Sequence, residues 1–422
     1  MFRLLITAIG SFLLFAQLVS AEFKAGIAVR IVTPDPLLPV SGGIGPSSPV
    51  KEKKGELTVR AFVVEENGTR VAIVSADFLG FPSVLGNRVR ALVKSIPADH
   101  ILIGATHAHS APDIYGFPDG KGGFATDLKF VDRVVALTAE AINDAIQKLQ
   151  LATLKIATGP AKGKIAFNAY ADALYDPRCH VIQAIGLEGK PIATLVNYAV
   201  HPEVLGSDVG ICSPDLVGPL YDRITEKDGG VGIFMNSAQG GMVTADNRGP
   251  GGKDIRTWDE CLRIGNLLAD EALRLIAKAP VQDHPTLSIQ SRMITLPVES
   301  KMLLEITRKS PLGYPAPEDG NKIKTQVNVI NLGNSQILTI PGEALPNIGF
   351  YLKRKMRGTH NLLFGLTNDA LGYILTKVDY GSFKRYDYIT RTSLGEMTGE
   401  ILIEESLKLV NEAPAPQTFA PQ

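Results

Sequence analysis

Short apolar runs alternate with longer segments of helical period along most of this chain, which is the rhythm of an α/β fold of mixed β-sheets flanked by helices. The strand-like runs are Arg70 to Ser75, His100 to Gly104, Ile192 to Tyr198, Val231 to Met235, Gln326 to Ile330 and Gln336 to Ile340, most of them β-branched and closed by turn residues. Helical period is clearest from Asp127 to Gln150, where Phe130, Val134, Val135, Leu137, Ala141, Ile142 and Ile146 recur at steps of three and four. It returns over Thr257 to Lys278 and Leu394 to Leu409. The Gly- and Pro-rich stretches Leu37 to Ser48, Asn247 to Lys253 and Ser310 to Asn321 are expected as loops able to shape a substrate entrance. No internal repeat is visible in the residues.

The first apolar run stands outside this rhythm. Arg3 precedes Leu4 to Leu18, and the small residues Val19, Ser20 and Ala21 follow. This order predicts a signal peptide over 1–21, cleavage near Ala21 and a secreted or periplasmic chain. The run is shorter than the roughly 20 residues a spanning anchor needs. No cysteine follows it, so a lipoprotein anchor is not expected, and nothing later reads as transmembrane. Residues 22–411 are expected to form one large domain, and the Pro- and Ala-rich 412–422 a disordered tail.

Charge and cysteine content narrow the chemistry. Lys plus Arg and Asp plus Glu both number 43, a balance that argues against nucleic acid as partner. Cys179, Cys212 and Cys261 are too few for a disulfide framework or a thiolate zinc cluster, and at least one is expected as a small buried apolar residue. Asn67, Gly68 and Thr69 form a glycosylation sequon whose use depends on the host.

Candidate chemistry gathers at strand ends. The strand ending at Gly104 runs into His107 and His109, and the strand from Ile192 runs into His201, Pro202 and Glu203, with Ser213 to Asp215 opening a helix shortly afterwards. Ligand sites of α/β sheets collect at such carboxyl ends, where imidazole can meet a metal without crowding a core. An HxH pair alone fits a shared polar surface equally well. Glu343, after Pro341 and Gly342, reads either as a ligand or as a helix N-terminal charge. Asp77 reads either as a carboxylate orienting a ligand histidine or as a turn residue. Spacing alone does not nominate Tyr373.

Taken in order, these segments resemble the catalytic domain of the neutral (alkaline, non-lysosomal) ceramidase family over roughly Ala25 to Tyr380. THAHSAP at 106–112 is similar to that family's THTHSGP, NYAVHP at 197–202 to its second histidine segment, PGE at 341–343 to its glutamate segment, and GLTNDALGYILT at 365–376 to its tyrosine segment. The resemblance implies a single large domain of that fold and one zinc ion held by His107, His201, Glu343 and Tyr373. His109 would then lie beside the metal for proton transfer or oxyanion stabilisation.

Three departures bear on substrate. Aligning 236–247 with the family's serine segment puts Gly241 where it has an aspartate and Val243 or Thr244 where it has the serine; Thr244 and Ser237 are nearby hydroxyls, with Thr244 the catalytic candidate. The family's arginine segment reads AFNAYADALYDPR at 166–178, leaving Arg178 or Arg248 as candidate substrate contacts. The resemblance also implies that the chain should stop near the close of the catalytic domain, without the family's immunoglobulin-like domain. The expectation is a secreted zinc amidase cleaving an N-acyl bond by metal-activated water. Its partner would be a small or lipid-like amide, with peripheral membrane contact compatible and no spanning anchor. The alternatives are a zinc esterase or other hydrolase on a small extracellular substrate, and a secreted binding protein that keeps the metal after losing turnover.

Overall fold

The computed structural model describes residues 22–318 and 320–419; the expected signal peptide lies outside them. Eight strands carry the main sheet: β1 (Lys24–Ile31), β2 (Thr58–Glu66), β3 (Thr69–Ala76), β4 (Ile101–Ala105), β5 (Gln150–Pro160), β6 (Arg178–Gly186), β7 (Pro191–Tyr198) and β8 (Val231–Asn236). Their order is β8-β7-β6-β5-β1-β2-β3-β4, and a ninth short strand, Val281–Gln282, pairs with β5. The pairs β3/β4 and β7/β8 are parallel. The neighbours between them are antiparallel.

Each parallel pair needs a crossover, and each has a helix: α1 (Ser83–Leu92) joins β3 to β4, and α3 (Val217–Glu226) joins β7 to β8. Two longer helices, α2 (Leu128–Gln147) and α4 (Trp258–Ala277), follow β4 and β8. Both start on a side-chain cap, Asp127 accepting from Phe130 N and Thr257 from Glu260 N, which satisfies an otherwise orphaned first-turn donor. The first half, 24–147, and the second, 150–277, therefore share one topology, a repeat that the residues do not reveal. Topology can recur without identity because a buried strand asks only for apolar, β-branched side chains.

A second sheet of four strands follows: β9 (Leu287–Pro297), β10 (Lys322–Leu332), β11 (Ser335–Thr339) and β12 (His360–Phe364). Its buried Ile330, Ile337 and Phe364 pack with Ile73, Leu102 and Met235 of the main sheet. The main sheet also folds back on itself, for Ser75 Oγ of β3 donates to Phe234 O of β8. Helix α5 (Lys301–Lys309), helix α6 (Pro346–Lys355), the short α7 (Asp387–Arg391) and α8 (Thr398–Glu412) complete the fold.

The α/β expectation and all six strand positions stand, with small differences at the ends. The helix expected to reach Gln150 stops at Gln147, because Gln150 opens β5 opposite Ala25. The helix expected from Leu394 starts at Thr398, because Leu394 O accepts from Glu299 N and Ser300 N. The segment expected as a disordered tail is tied to the second sheet and its flanking turns as far as Gln417. Asn331 Nδ2 donates to Pro414 O at 2.8 Å, and Gln417 Oε1 accepts from Thr286 N at 3.1 Å. All three cysteines are free and buried.

Candidate metal centre

His107 sits two residues beyond β4, with a φ of 74° in the left-handed region that residues carrying a Cβ seldom adopt. The strain is held by two bonds to the segment after β3. His107 N donates to Phe78 O at 3.0 Å, and Nδ1 lies 2.6 Å from Leu79 O. His201, three residues beyond β7, is held the same way by the segment after β8, its Nδ1 lying 2.8 Å from Val243 O. A carbonyl can only accept, so each Nδ1 carries a proton and each Nε2 is left facing the cluster, where the neutral ring offers the lone pair that a ligating histidine requires.

Both Nε2 atoms face one carboxylate. Glu343 Oε2 lies 3.3 Å from His107 Nε2 and 3.2 Å from His201 Nε2, yet Glu343 Oε2 and His201 Nε2 are buried without a hydrogen-bond partner. Burial would raise the Glu343 pKa, but the imidazoles of His107 and His201 outweigh it and hold the carboxyl well below its usual range. Such a group is built to face positive charge.

His109 joins the cluster. One ring nitrogen from each of His107, His109 and His201 lies within 4.8 Å of the others, so these three could hold a metal ion. His109 Nδ1 is 3.7 Å from Glu203 Oε2, and its Nε2 is buried without a partner. Burial, reinforced by the neighbouring imidazoles, pushes its pKa well below the ordinary histidine value and keeps the ring neutral. Orphaned N and O donors in a closed cluster, with second nitrogens pinned by carbonyls, fit zinc or a similar divalent ion.

Tyr373 is brought alongside rather than into this cluster. Glu343 and Tyr373 are register partners in a short parallel ladder, but the phenol donates to Met242 Sδ at 3.3 Å. Burial and the nearby Glu343 raise its pKa far above the usual tyrosine value. The turn carrying Met242 packs tightly on the glutamate: a Cβ on Gly240 would stand 2.1 Å from Glu343 O, so only glycine fits there.

The remaining expected residues do not reach the centre. Asp77 was a candidate for orienting a histidine, but its carboxylate accepts from Thr58 N and Oγ1 at 2.8 and 2.7 Å and from Tyr221 at 3.1 Å, and backbone carbonyls take the orienting role. Thr244 bridges to His201 through its backbone and pairs with Phe167; its side chain is not part of the cavity wall described next. Val243, the other residue at the serine position, is fully buried in the core. Arg178 is bound through two nitrogens to Asp176, and Arg248 to Asp246 and Asp172, so neither guanidinium is free for substrate.

His107, His109, Glu343 and Tyr373 open onto a cavity of about 430 Å³. Leu303, Leu304 and Ile306 of α5 line it, together with Tyr314 and the stacked pair Tyr115 and Phe117, whose centroids are 4.6 Å apart. Sequence reasoning missed two contributors. Tyr388 lines the cavity and meets Tyr373 edge-on at 5.9 Å. Asn236 Nδ2 donates to Thr106 O at 3.0 Å and to Val200 O at 2.7 Å, tying both histidine segments together. Glu203, which the sequence places beside His201 at the strand end, faces His109 rather than His201.

An α/β fold with a histidine and glutamate cluster at the ends of two parallel strand pairs defines the class. No known family model matches the chain, and no curated protein does. Among solved structures, the fold is similar to that of neutral ceramidase from Pseudomonas aeruginosa, with a TM-score of 0.73 and 17% identity over 95% of this chain and 77% of that one. It is similar as well to a ceramidase complexed with C2, with a TM-score of 0.72, 17% identity and the same coverage. At this identity the likeness is one of fold.

Proposed function

We propose that the chain is an exported, metal-dependent hydrolase that cleaves an acyl amide carrying an apolar chain. The observation that carries this reading is the buried meeting of His107, His201 and Glu343 at an apolar cavity, with Glu343 Oε2 and His201 Nε2 left without a hydrogen-bond partner. The likeness in fold to ceramidases supports an amide bond as the target, and the apolar run Leu4 to Leu18 supports export.

His107, His201 and Glu343 would hold the ion, with Tyr373 turning from Met242 to complete the set. A bound zinc supplies Lewis acidity and brings water toward ionisation at neutral pH. The chain's own residues do the rest. Neutral His109, backed by Glu203, takes a proton from attacking water and returns it to the departing amine. Tyr388, at the cavity wall, is placed to steady the acyl oxygen. Leu303, Leu304 and Ile306 enclose the apolar chain and keep water from it. Thr244 as nucleophile finds no support, since it has no base and no place in the cavity wall.

A second reading, a binding protein that keeps the metal without turnover, draws on the absence of a serine at 243–244, where Val243 or Thr244 stands. The test is hydrolysis of fluorogenic N-acyl amides and short esters by the purified chain, with chelator, zinc add-back and His107→Ala. Turnover restored by metal and lost in the variant is expected, and the substrate cleaved separates amidase from esterase. Stoichiometric zinc with no turnover would favour the binding protein.

A further inference from the structure

The antiparallel ladder of β9 with β10 runs unbroken from Leu287 opposite Leu332 to Pro297 opposite Lys322. A two-residue turn would close such a hairpin. The chain instead leaves the sheet, carries α5 along the cavity and returns. Its base is pinned: Val298 N donates to Asn321 O and Glu318 N to Lys322 O, both at 2.8 Å, while Leu394 O accepts from Glu299 N and Ser300 N. Its far point is tied to a single atom. Ser310 Oγ donates to Tyr115 O at 3.3 Å, and the Tyr314 hydroxyl donates to the same oxygen at 3.1 Å. Ser310 comes this close because residue 116 is a glycine with φ 79°, where a Cβ would stand 2.0 Å from Ser310 Oγ.

The residue that receives this tie is rigid and touches the metal centre's support. Asp113 accepts from Tyr115 N at 2.8 Å and from Phe117 N at 2.9 Å. The Tyr115 hydroxyl packs on Gly80, where a Cβ would stand 1.9 Å from it, one residue past the Leu79 carbonyl that orients His107. Between base and tip, by contrast, the excursion is lightly seated. Helix α5 has nine residues and buries only Leu304, while Lys301, Glu305, Arg308 and Lys309 are exposed. Leu303 and Ile306 line the cavity and are only half-buried. A helix this short is held by packing rather than by propensity. An apolar chain in the cavity buries the faces of Leu303 and Ile306, so chain and helix hold each other in place.

We propose that residues 298–318 form a strap, latched at Tyr115 O, that closes on the apolar chain of the substrate and selects long chains over short ones. A long chain gains the contacts of α5. A short acyl group at the metal centre does not, so the discrimination lies in KM rather than in kcat. The inference rests on the reading that the site cleaves an acyl amide carrying an apolar chain.

The test is hydrogen–deuterium exchange of the full chain with acetate or hexadecanoate as the added probe, run beside kinetics on fluorogenic acetyl and hexadecanoyl amides. Hexadecanoate should slow exchange over 298–318 about tenfold, the scale of one apolar side chain buried, and acetate should leave it unchanged. Without a probe, Ser310→Ala and Tyr314→Phe should each speed that exchange roughly two- to tenfold, the worth of one hydrogen bond. Ser310→Ala should raise KM for the hexadecanoyl amide several-fold, with kcat and the KM for the acetyl amide unchanged. Exchange over 298–318 that ignores hexadecanoate overturns the proposal, as does exchange unchanged in both latch variants or a KM that rises equally for both amides. If the strap answers to hexadecanoate while no amide is cleaved, the strap stands and the hydrolase reading fails.

Discussion

The two halves of the main sheet solve one positional problem with their roles exchanged. In the first half the histidines leave from β4, and the segment after β3 supplies the carbonyl, Leu79 O, that fixes His107. In the second half the histidine leaves from β7, and the segment after β8 supplies the carbonyl, Val243 O, that fixes His201. Each parallel pair thus carries its own ligand and its own orienting acceptor. The backbone of a neighbouring strand can therefore do what a dedicated carboxylate does elsewhere, and Asp77 is free to serve the core.

The halves meet at Asn236, whose amide reaches the first half at Thr106 O and its own half at Val200 O. The exchange predicts equal dependence on both halves. Removing either ligand, by His107→Ala or His201→Ala, should lower metal-dependent hydrolysis more than about a hundredfold, beyond the range of outer-shell changes. Calorimetric titration with zinc should show the binding lost in both. Retention in one variant would break the comparison, since one half would then suffice.

Asn236→Ala should act on both halves at once. It should weaken zinc affinity roughly ten- to a hundredfold. It should also destabilise the fold by about 1–3 kcal/mol, the scale of buried partners left unpaired. Asp77→Ala sharpens the contrast from the other side: a loss of about 1–3 kcal/mol in chemical denaturation is expected, with zinc affinity within about twofold because carbonyls orient the ligands. A large fall in affinity would restore Asp77 to the site. Smallest of all, Arg178→Ala and Arg248→Ala should each change stability by less than about 1 kcal/mol, as partly exposed ion pairs do, and leave KM for the amide unchanged.

Much of the candidate site was legible because strand ends are marked locally. A β-branched run followed by His107 and His109, or by His201, announces both the strand and the direction in which its end projects. The resemblance placed Glu343, and the geometry brings it to those histidines. The exchange between halves was not legible. Leu79 and Val243 act through carbonyl oxygens, which every residue carries, so no residue type signals them. The repeat was hidden for a related reason: packing constrains polarity and shape along a buried strand, not identity.

Local pattern by itself determined the α/β class, the strand positions and the three histidines able to ligate. Tertiary structure alone decided which of them meet. Arg178 and Arg248, free cations on paper, found aspartates within two residues of themselves once the backbone turned. Tyr373 came beside Glu343 only because a parallel register aligned segments thirty residues apart. Convergence depends on how the sheet folds back and where its ends cross, and such long-range geometry arises from the summed packing of the whole core rather than from any short stretch of chain.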